Sequence, residues 1–592
     1  MSLPDPRPSA RPLLPQDDPD PGGRAAGLEV QQDTYRFVHD WPAGVATASW
    51  LPEADDYSSG YIAKSVPIYA RIAANYAAVA LRYGTGGRLE LLEDLSRSVE
   101  KDSRLFKSMH LKGMATPKEV FGTTRPRTWR DYADIFQVFA KPAVVPRVDD
   151  DATLGDAMAW QRVAGCNPTV LARCDALPSH FPVTEADYTR AMGEGDSLEA
   201  ARAEGRLYLA DYGVLDGVVC GVTNGLQKYL AAPLALYAVD RSDGRLRSVC
   251  IQNGQDPTAY PRVTPADGWA WRMATQCVQV ADANHHEGSA HLGRTHMVME
   301  AVAVAMKRQL ASTHPLTPLL TAHTETTLAI NASAKTSLIA PGGTVDTTFA
   351  AKIRVFGDIV RGAVQSWPLD RATPRQDLEA RGLLDVEALP VHPYREDALP
   401  VWDALAAFLG EYVALYYTAD TAVQADGELQ AFVRDLAAPD AGRLPGVPEV
   451  QTRAQLAQLL TILVFTATAQ HSAVNFTQYP YMGYVPNMGG ALYAPPPTGA
   501  SAASEEAYLA LMAPMGVALD SISMVYLLSE VRDSTLGEYG PTRFQDLRVL
   551  PLVKRFQAAL RDVEQATAAR DASRWLPYPY LRPSQILQSI SI

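Results

Sequence analysis

The chain of 592 residues is short of cysteine, of histidine and of long apolar runs. Its five cysteines are Cys166, Cys174, Cys220, Cys250 and Cys277. An odd number at irregular spacings, in a chain large enough to bury its own core, excludes a disulfide scaffold and reads as mostly buried thiols in a reducing compartment. No block of Lys and Arg stands out against a net charge of −13, which excludes a general attraction to nucleic acid. The longest apolar run, LLTILVFTATA at 459–469, is too short to span a bilayer. The opening MSLPDPRPSARPLLPQDDPDPGGR lacks the apolar segment of a signal peptide, and its proline and aspartate read as a disordered leader over residues 1–30. These absences predict a cytoplasmic protein with one domain over residues 31–592.

What is present is ordinary for a globular chain: 47% apolar and 20% charged residues. Apolar residues recur at helical spacing over 59–84, over most of 266–314 and again over 452–478. The 452–478 segment is apolar around much of its circumference, which places it in a core. Residues 550–574 are by contrast amphipathic. Alternation in GRLYLADYGV, and two apolar stretches joined by Ser-Asp-Gly in LALYAVDRSDGRLRSVCIQNG, predict a small β element. The expected fold class is mainly α, one large helical domain with little sheet.

Histidine occurs 11 times, and four of the 11 fall within residues 285–296, in HHEGSAHLGRTHMVME. His286, His291 and His296 repeat every five residues. On an ideal α-helix, positions five apart diverge by roughly 140°. They converge only where the helix widens to i→i+5 hydrogen bonding, a π-turn found mostly at functional sites. The cluster therefore reads as a metal site on a widened helix, or as hydrogen-bonded structural histidines. A second pattern weighs toward metal. In AQHSAVNFTQ, His471 and Asn475 stand four apart on one face of a core helix, where a buried polar pair needs a partner. Nitrogen and oxygen donors without thiolate suit iron or manganese with open positions better than structural zinc.

These segments resemble the lipoxygenases. The first signature is similar to HLGRTHMVMEAVAVAMKRQLASTHPLTPLLTAH, the second to HSAVNFTQYPYMGYVPN, and the ending to YLRPSQILQSISI; WQRVAGCNPTVLARC, LPSHFPVT and LADYGVLDG extend the likeness over roughly residues 30–592. The resemblance implies a non-haem iron, with manganese the alternative, bound by His291, His296, His471, more loosely by Asn475, and by the carboxylate of Ile592. His286, His314 and His323 match family histidines that are not ligands and read as buried structural groups. Glu287 and Gln478 match positions that link the metal helices to the substrate cavity by hydrogen bonds. The implied reaction is oxygenation of a polyunsaturated fatty acid by O2. A metal-bound hydroxide takes a hydrogen atom from a bis-allylic methylene, and no other catalytic group is implied.

The same resemblance places Ala334 where alanine accompanies S-configured hydroperoxides, and Leu338 and Leu528 where side chains clamp the reacting pentadiene. Val345, Thr348, Phe349 and Ala283 fall where the far end of the pocket is shaped. Lys335 is a candidate partner for a substrate carboxylate or a solvated surface charge. The N-terminal β-barrel of animal and plant enzymes has no counterpart, so a bacterial-type catalytic domain is implied, expected to be monomeric and to meet lipid through its first helix. A hydroperoxide isomerase and a non-catalytic lipid-binding protein are the competing readings.

Overall fold

The computed structural model describes residues 11–83, 121–499 and 503–592. It is 56% helical and 6% strand, as the periodicities predict. Helix α1 spans Pro21–Thr34, α2 Ser59–Arg82, α3 Asp151–Ala164 and α4 Trp269–His285. A π-helix, His286–Met297, continues α4 without a break into α5, Val298–Gln309. There follow α6 (Thr327–Thr336), α7 (Ile353–Gln365), α8 (Pro393–Tyr416) and α9 (Arg453–Phe465). A second π-turn, Thr466–Gln470, links α9 to α10, His471–Asn475. Helices α11 (Gln478–Met482), α12 (Met515–Glu530) and α13 (Leu550–Asp571) complete the set used below.

The run from α4 to α5 is the axis of the molecule. Every residue from Ala270 to Ala290 is buried, so neighbours cover all sides of this helix. Helix α9 is likewise buried along its apolar length. Its start is fixed by a capping box, in which Thr452 Oγ1 accepts from Gln455 N (3.2 Å) and Gln455 Oε1 accepts from Thr452 N (3.0 Å). The helical run Arg453–Met482 is long and apolar enough to cross a membrane, unlike the 11-residue stretch judged from sequence, yet 94% of its apolar window is buried inside the protein. Its apolarity serves the core.

Four antiparallel strands form the expected β element: β1 Ala172–Arg173, β2 Leu207–Asp211, β3 Leu234–Val239 and β4 Leu246–Gln252, in that spatial order. The β3–β4 register runs from Leu234↔Gln252 to Val239↔Leu246, with the Ser-Asp-Gly turn between. Ser248 Oγ donates to the Gly155 carbonyl (2.6 Å) and ties the sheet to α3.

The leader expectation is corrected over its described part. Residues 15–17 form a short 3-10 turn and α1 begins at Pro21, so the segment 11–30 is folded rather than disordered. Proline at a helix's first position costs no hydrogen bond and presets φ, and Asp20 caps the helix by accepting from Gly23 N (2.9 Å). Arg24 then pairs with Asp18 (2.8 Å) and Glu428 (2.5 Å). The proline and aspartate that suggested disorder are helix-start signals. Residues 1–10 lie outside the described residues.

The five cysteines are free thiols, four of them buried, as the sequence suggests. Helix α2 appears where periodicity places it, with Tyr61, Ile68 and Val79 turned inward and Val66 and Leu81 exposed.

Candidate metal centre

The π-helix answers the five-residue repeat. With i→i+5 bonding, His291 and His296 come to one side of the axis, their Nε2 atoms 3.2 Å apart. His471, on α10, brings its Nε2 to 3.2 Å from that of His296. The donor atoms of His291, His296 and His471 all lie within 4.8 Å of one another, and all three side chains are buried. Glycine repeats on the same five-residue period. A Cβ on Gly288 would stand 2.8 Å from Ile359 Cγ2, and one on Gly293 2.8 Å from Ala363 Cβ. The glycines therefore let α7 press against the π-helix and hold it in place.

Protonation follows from what each second ring nitrogen meets. His296 Nδ1 faces the carbonyl oxygen of the Asn331 amide at 2.8 Å, and His291 Nδ1 faces Glu287 Oε2 at 3.4 Å. Both partners are acceptors, so both Nδ1 atoms carry the proton and both Nε2 atoms present lone pairs to each other. Burial pushes the pKa of His291 and His296 down to about 3 and that of His471 well below the usual imidazole range, so the rings stay neutral at physiological pH. Lone pairs facing at 3.2 Å repel unless a cation lies between them. The donor set thus fits a metal ion, and neutral imidazoles without thiolate fit iron or manganese.

A second trio, His286, Glu287 and His291, also gathers within 4.8 Å. It can bind metal through His291 Nδ1 only if that ring loses its remaining proton while Nε2 serves the first cluster. An acceptor role for Glu287 toward His291 Nδ1–H needs no such loss, and is preferred. His286 donates from Nε2 to the Val474 carbonyl (2.9 Å), which joins the π-helix to α10.

Asn475 sits one helical turn after His471. Its Nδ2 donates to the Leu528 carbonyl (2.6 Å) and its Oδ1 accepts from Gln478 Nε2 (2.9 Å). Ile592 is 2% exposed, with its main chain against the His471 ring. The tail before it is held by side chains from four elements. Leu587 N donates to Ser472 Oγ (3.1 Å), while the carbonyls of Gln588, Ile590 and Ser591 accept from His323 Nδ1 (2.8 Å), Thr327 Oγ1 (3.2 Å) and the Tyr61 hydroxyl (2.7 Å). His323 is thus a tail anchor, and His314, 3.0 Å from the buried Asp426, lies in a separate polar pair. Both are buried and hydrogen-bonded.

The positions expected from the sequence to shape a pocket are linked to one another. Ile339 N donates to the Ala334 carbonyl (2.9 Å), Val345 N to that of Leu338 (3.0 Å), and Phe349 N to that of Val345 (2.9 Å). The Thr348 hydroxyl donates to the Thr344 carbonyl (2.7 Å). Asn284, next to Ala283, accepts from Ala350 N (3.2 Å), which brings this strip to the end of α4. Lys335, with 18% of its side chain exposed, places its ammonium 2.9 Å from Glu300 Oε1.

The Lipoxygenase family model matches residues 84–576. The chain belongs to the lipoxygenase family. It is 40% identical over 469 residues to the linoleate 9/13-lipoxygenase of Pseudomonas aeruginosa, covering 76% of this chain and 68% of that protein. It is 33% identical over 499 residues to the human polyunsaturated fatty acid lipoxygenase ALOX15B, covering 82% of this chain and 72% of that one. A solved lipoxygenase in complex with arachidonate superposes with a TM-score of 0.86 at 27% identity, covering 98% of this chain and 84% of the other. As a lipoxygenase-family member the chain is an oxidoreductase of the dioxygenase type, with a histidine cluster suited to the family's non-haem metal.

Sequence reasoning missed two groups behind the lipoxygenase cluster. Asn331 and Glu300 carry the hydrogen-bond chain behind His296. Glu300 is the one charged residue in Met297–Met306 and stands four after His296, a signal that was available. The other omission is the buried ion pair Arg162–Asp282 (2.7 Å), which braces α4 against α3.

Proposed function

We propose that the chain oxygenates free polyunsaturated fatty acids of the linoleate and arachidonate class at a single non-haem iron, giving S-configured conjugated-diene hydroperoxides. The observation that carries this reading is the convergence of three neutral imidazole Nε2 atoms in a buried site. His291, His296 and His471 would hold the iron, with Asn475 and the carboxylate of Ile592 completing the set. When bound, the iron supplies the one-electron oxidant that removes a hydrogen atom from a bis-allylic methylene; manganese is the weaker candidate for the same donors.

The protein's own residues do the rest. Leu338 and Leu528 hold the pentadiene, and the link from the Leu528 carbonyl through Asn475 to α10 fixes that contact relative to the histidines. Glu287 holds His291 by its Nδ1–H, and Gln478 holds Asn475, so the donors keep their aim without substrate. Val345, Thr348, Phe349 and Ala283, all buried, set the depth of the pocket. Ala334 leaves room for O2 on one face of the pentadiene and restricts the other. Apolar walls hold the hydrocarbon chain and exclude water, so the radical meets O2 in a dry, confined site.

The test is conjugated-diene absorbance and oxygen uptake followed together on iron-loaded protein given linoleic and then arachidonic acid. Diene formed in step with oxygen loss, and abolished by His291→Ala or by removing Ile592, is the expected result. Iron bound with neither signal would overturn the reading.

A further inference from the structure

Helix α6 touches the metal side of the molecule at three levels. At its start, Thr327 Oγ1 donates to the carbonyl of Ile590, two residues before Ile592. In its middle, the Asn331 carbonyl oxygen meets His296 Nδ1 at 2.8 Å, while Asn331 Nδ2 donates to the His296 carbonyl (3.1 Å) and to Glu300 Oε2 (2.8 Å). At its end, Lys335 pairs with Glu300 Oε1 (2.9 Å), which also accepts from Ala48 N (2.8 Å). Glu300 is 1% exposed, so its charge rests on these three donors and not on water. Asn331, Ala334 and Lys335 stand at i, i+3 and i+4, and so share one helix face. Ala334 is flanked by the two residues that grip Glu300.

Resting on the functional reading above, we propose that Glu300, gripped between Asn331 and Lys335, is a positioning residue that sets two things at once. Through Asn331 it orients the amide oxygen toward His296 and keeps that ring in the Nδ1–H form, with its lone pair toward the metal. Through Lys335 it fixes the rotation of α6 about its axis, and with it the distance of Ala334 from the reacting carbon. An asparagine amide alone can turn over and present Nδ2 to the ring. The carboxylate prevents this by demanding Nδ2 for itself. Lys335 therefore belongs to the stereochemical control of the reaction and has no substrate role.

The clamp separates into two measurable arms on full-length protein loaded with ferrous iron. Asn331→Ala and Glu300→Gln, which loosen the inner arm, are expected to weaken iron binding in chelator competition, by about 10- to 100-fold for Asn331→Ala. Lys335→Met loosens only the outer arm. It is expected to keep iron affinity near the parent value while the enantiomeric ratio of the linoleate hydroperoxide falls about tenfold, since a shift on the order of 1 Å at a reacting centre costs up to about 100-fold in rate. Lys335→Arg keeps the charge and is expected to restore the ratio. The proposal is overturned if Lys335→Met retains the parent's enantiomeric ratio, or if Glu300→Gln and Asn331→Ala bind iron as the parent does. Should the parent bind iron yet form no hydroperoxide, the functional reading fails, and the order of iron affinities still decides the inner arm.

Discussion

Replacing Gly293 with alanine sets a methyl group 2.8 Å from Ala363 Cβ, 2.9 Å from the Gly288 carbonyl oxygen and 3.3 Å from that of Val360. Carbon–carbon contacts are optimal at about 3.5–4.0 Å, and two of these neighbours are backbone, which cannot rotate aside. Overpacking of this kind costs about 1–3 kcal/mol. Alanine also gains about 1 kcal/mol over glycine as a helix former, which masks part of the loss. Gly362→Ala, on α7, separates the two effects, because a Cβ there meets nothing within 4 Å and only the gain remains. Urea unfolding of both variants, run beside the parent, should place Gly293→Ala below Gly362→Ala by about 1–3 kcal/mol, the overpacking cost alone. Iron affinity should fall in Gly293→Ala and stay unchanged in Gly362→Ala, because the clash pushes the π-helix away from α7. Equal stability in the two variants would refute the view that glycine is needed to pack the widened helix.

The remaining expectations concern bracing, stereochemistry, pH and lipid contact. Arg162→Met leaves Asp282 as an unpaired buried charge and should destabilise the fold by about 3–5 kcal/mol in thermal unfolding; a change below about 1 kcal/mol contradicts a bracing role. Ala334→Gly should move the chiral composition of the linoleate product toward the R hydroperoxide, and an unchanged composition removes Ala334 from stereocontrol. Burial lowers the pKa of His285 to about 3 and that of His323 to about 4, so between those values and about 6.5 the unfolded chain binds protons that the fold refuses. Their contribution to stability should therefore be constant above about pH 7 and fall as pH drops from about 6.5 toward 4, and a midpoint independent of pH between about 6.5 and 4 is the contrary result. If the exposed edge of α2 meets lipid, Leu81→Asp should reduce co-sedimentation with phosphatidylcholine vesicles, and unchanged binding sinks that contact.

The histidine cluster was legible in the sequence because its period is wrong for an α-helix. Five-residue spacing in an otherwise helical run leaves few geometries, and the π-helix is one that makes His291 and His296 meet. His471 and Asn475 were legible for the opposite reason, an ordinary spacing in a helix too apolar to expose them. The second π-turn, Thr466–Gln470, left no trace, since it carries no side chain whose repeat would betray it. Asn331 and Glu300 were missed because hydrogen bonds between α5 and α6 are long-range facts, although an isolated glutamate in an apolar helix is itself a question. The leader misled because proline and aspartate signal both disorder and a helix start, and Arg24 decides between them only through Glu428, far along the chain.

The central claim is that His291, His296 and His471 bind a single iron. X-ray absorption at the iron edge, on full-length protein reconstituted with ferrous iron, tests this most directly. The expected result is one iron per chain with the outer-ring scattering of three imidazoles, reduced in His296→Ala and in His471→Ala. Iron bound without imidazole scattering, or no bound iron, would contradict the account.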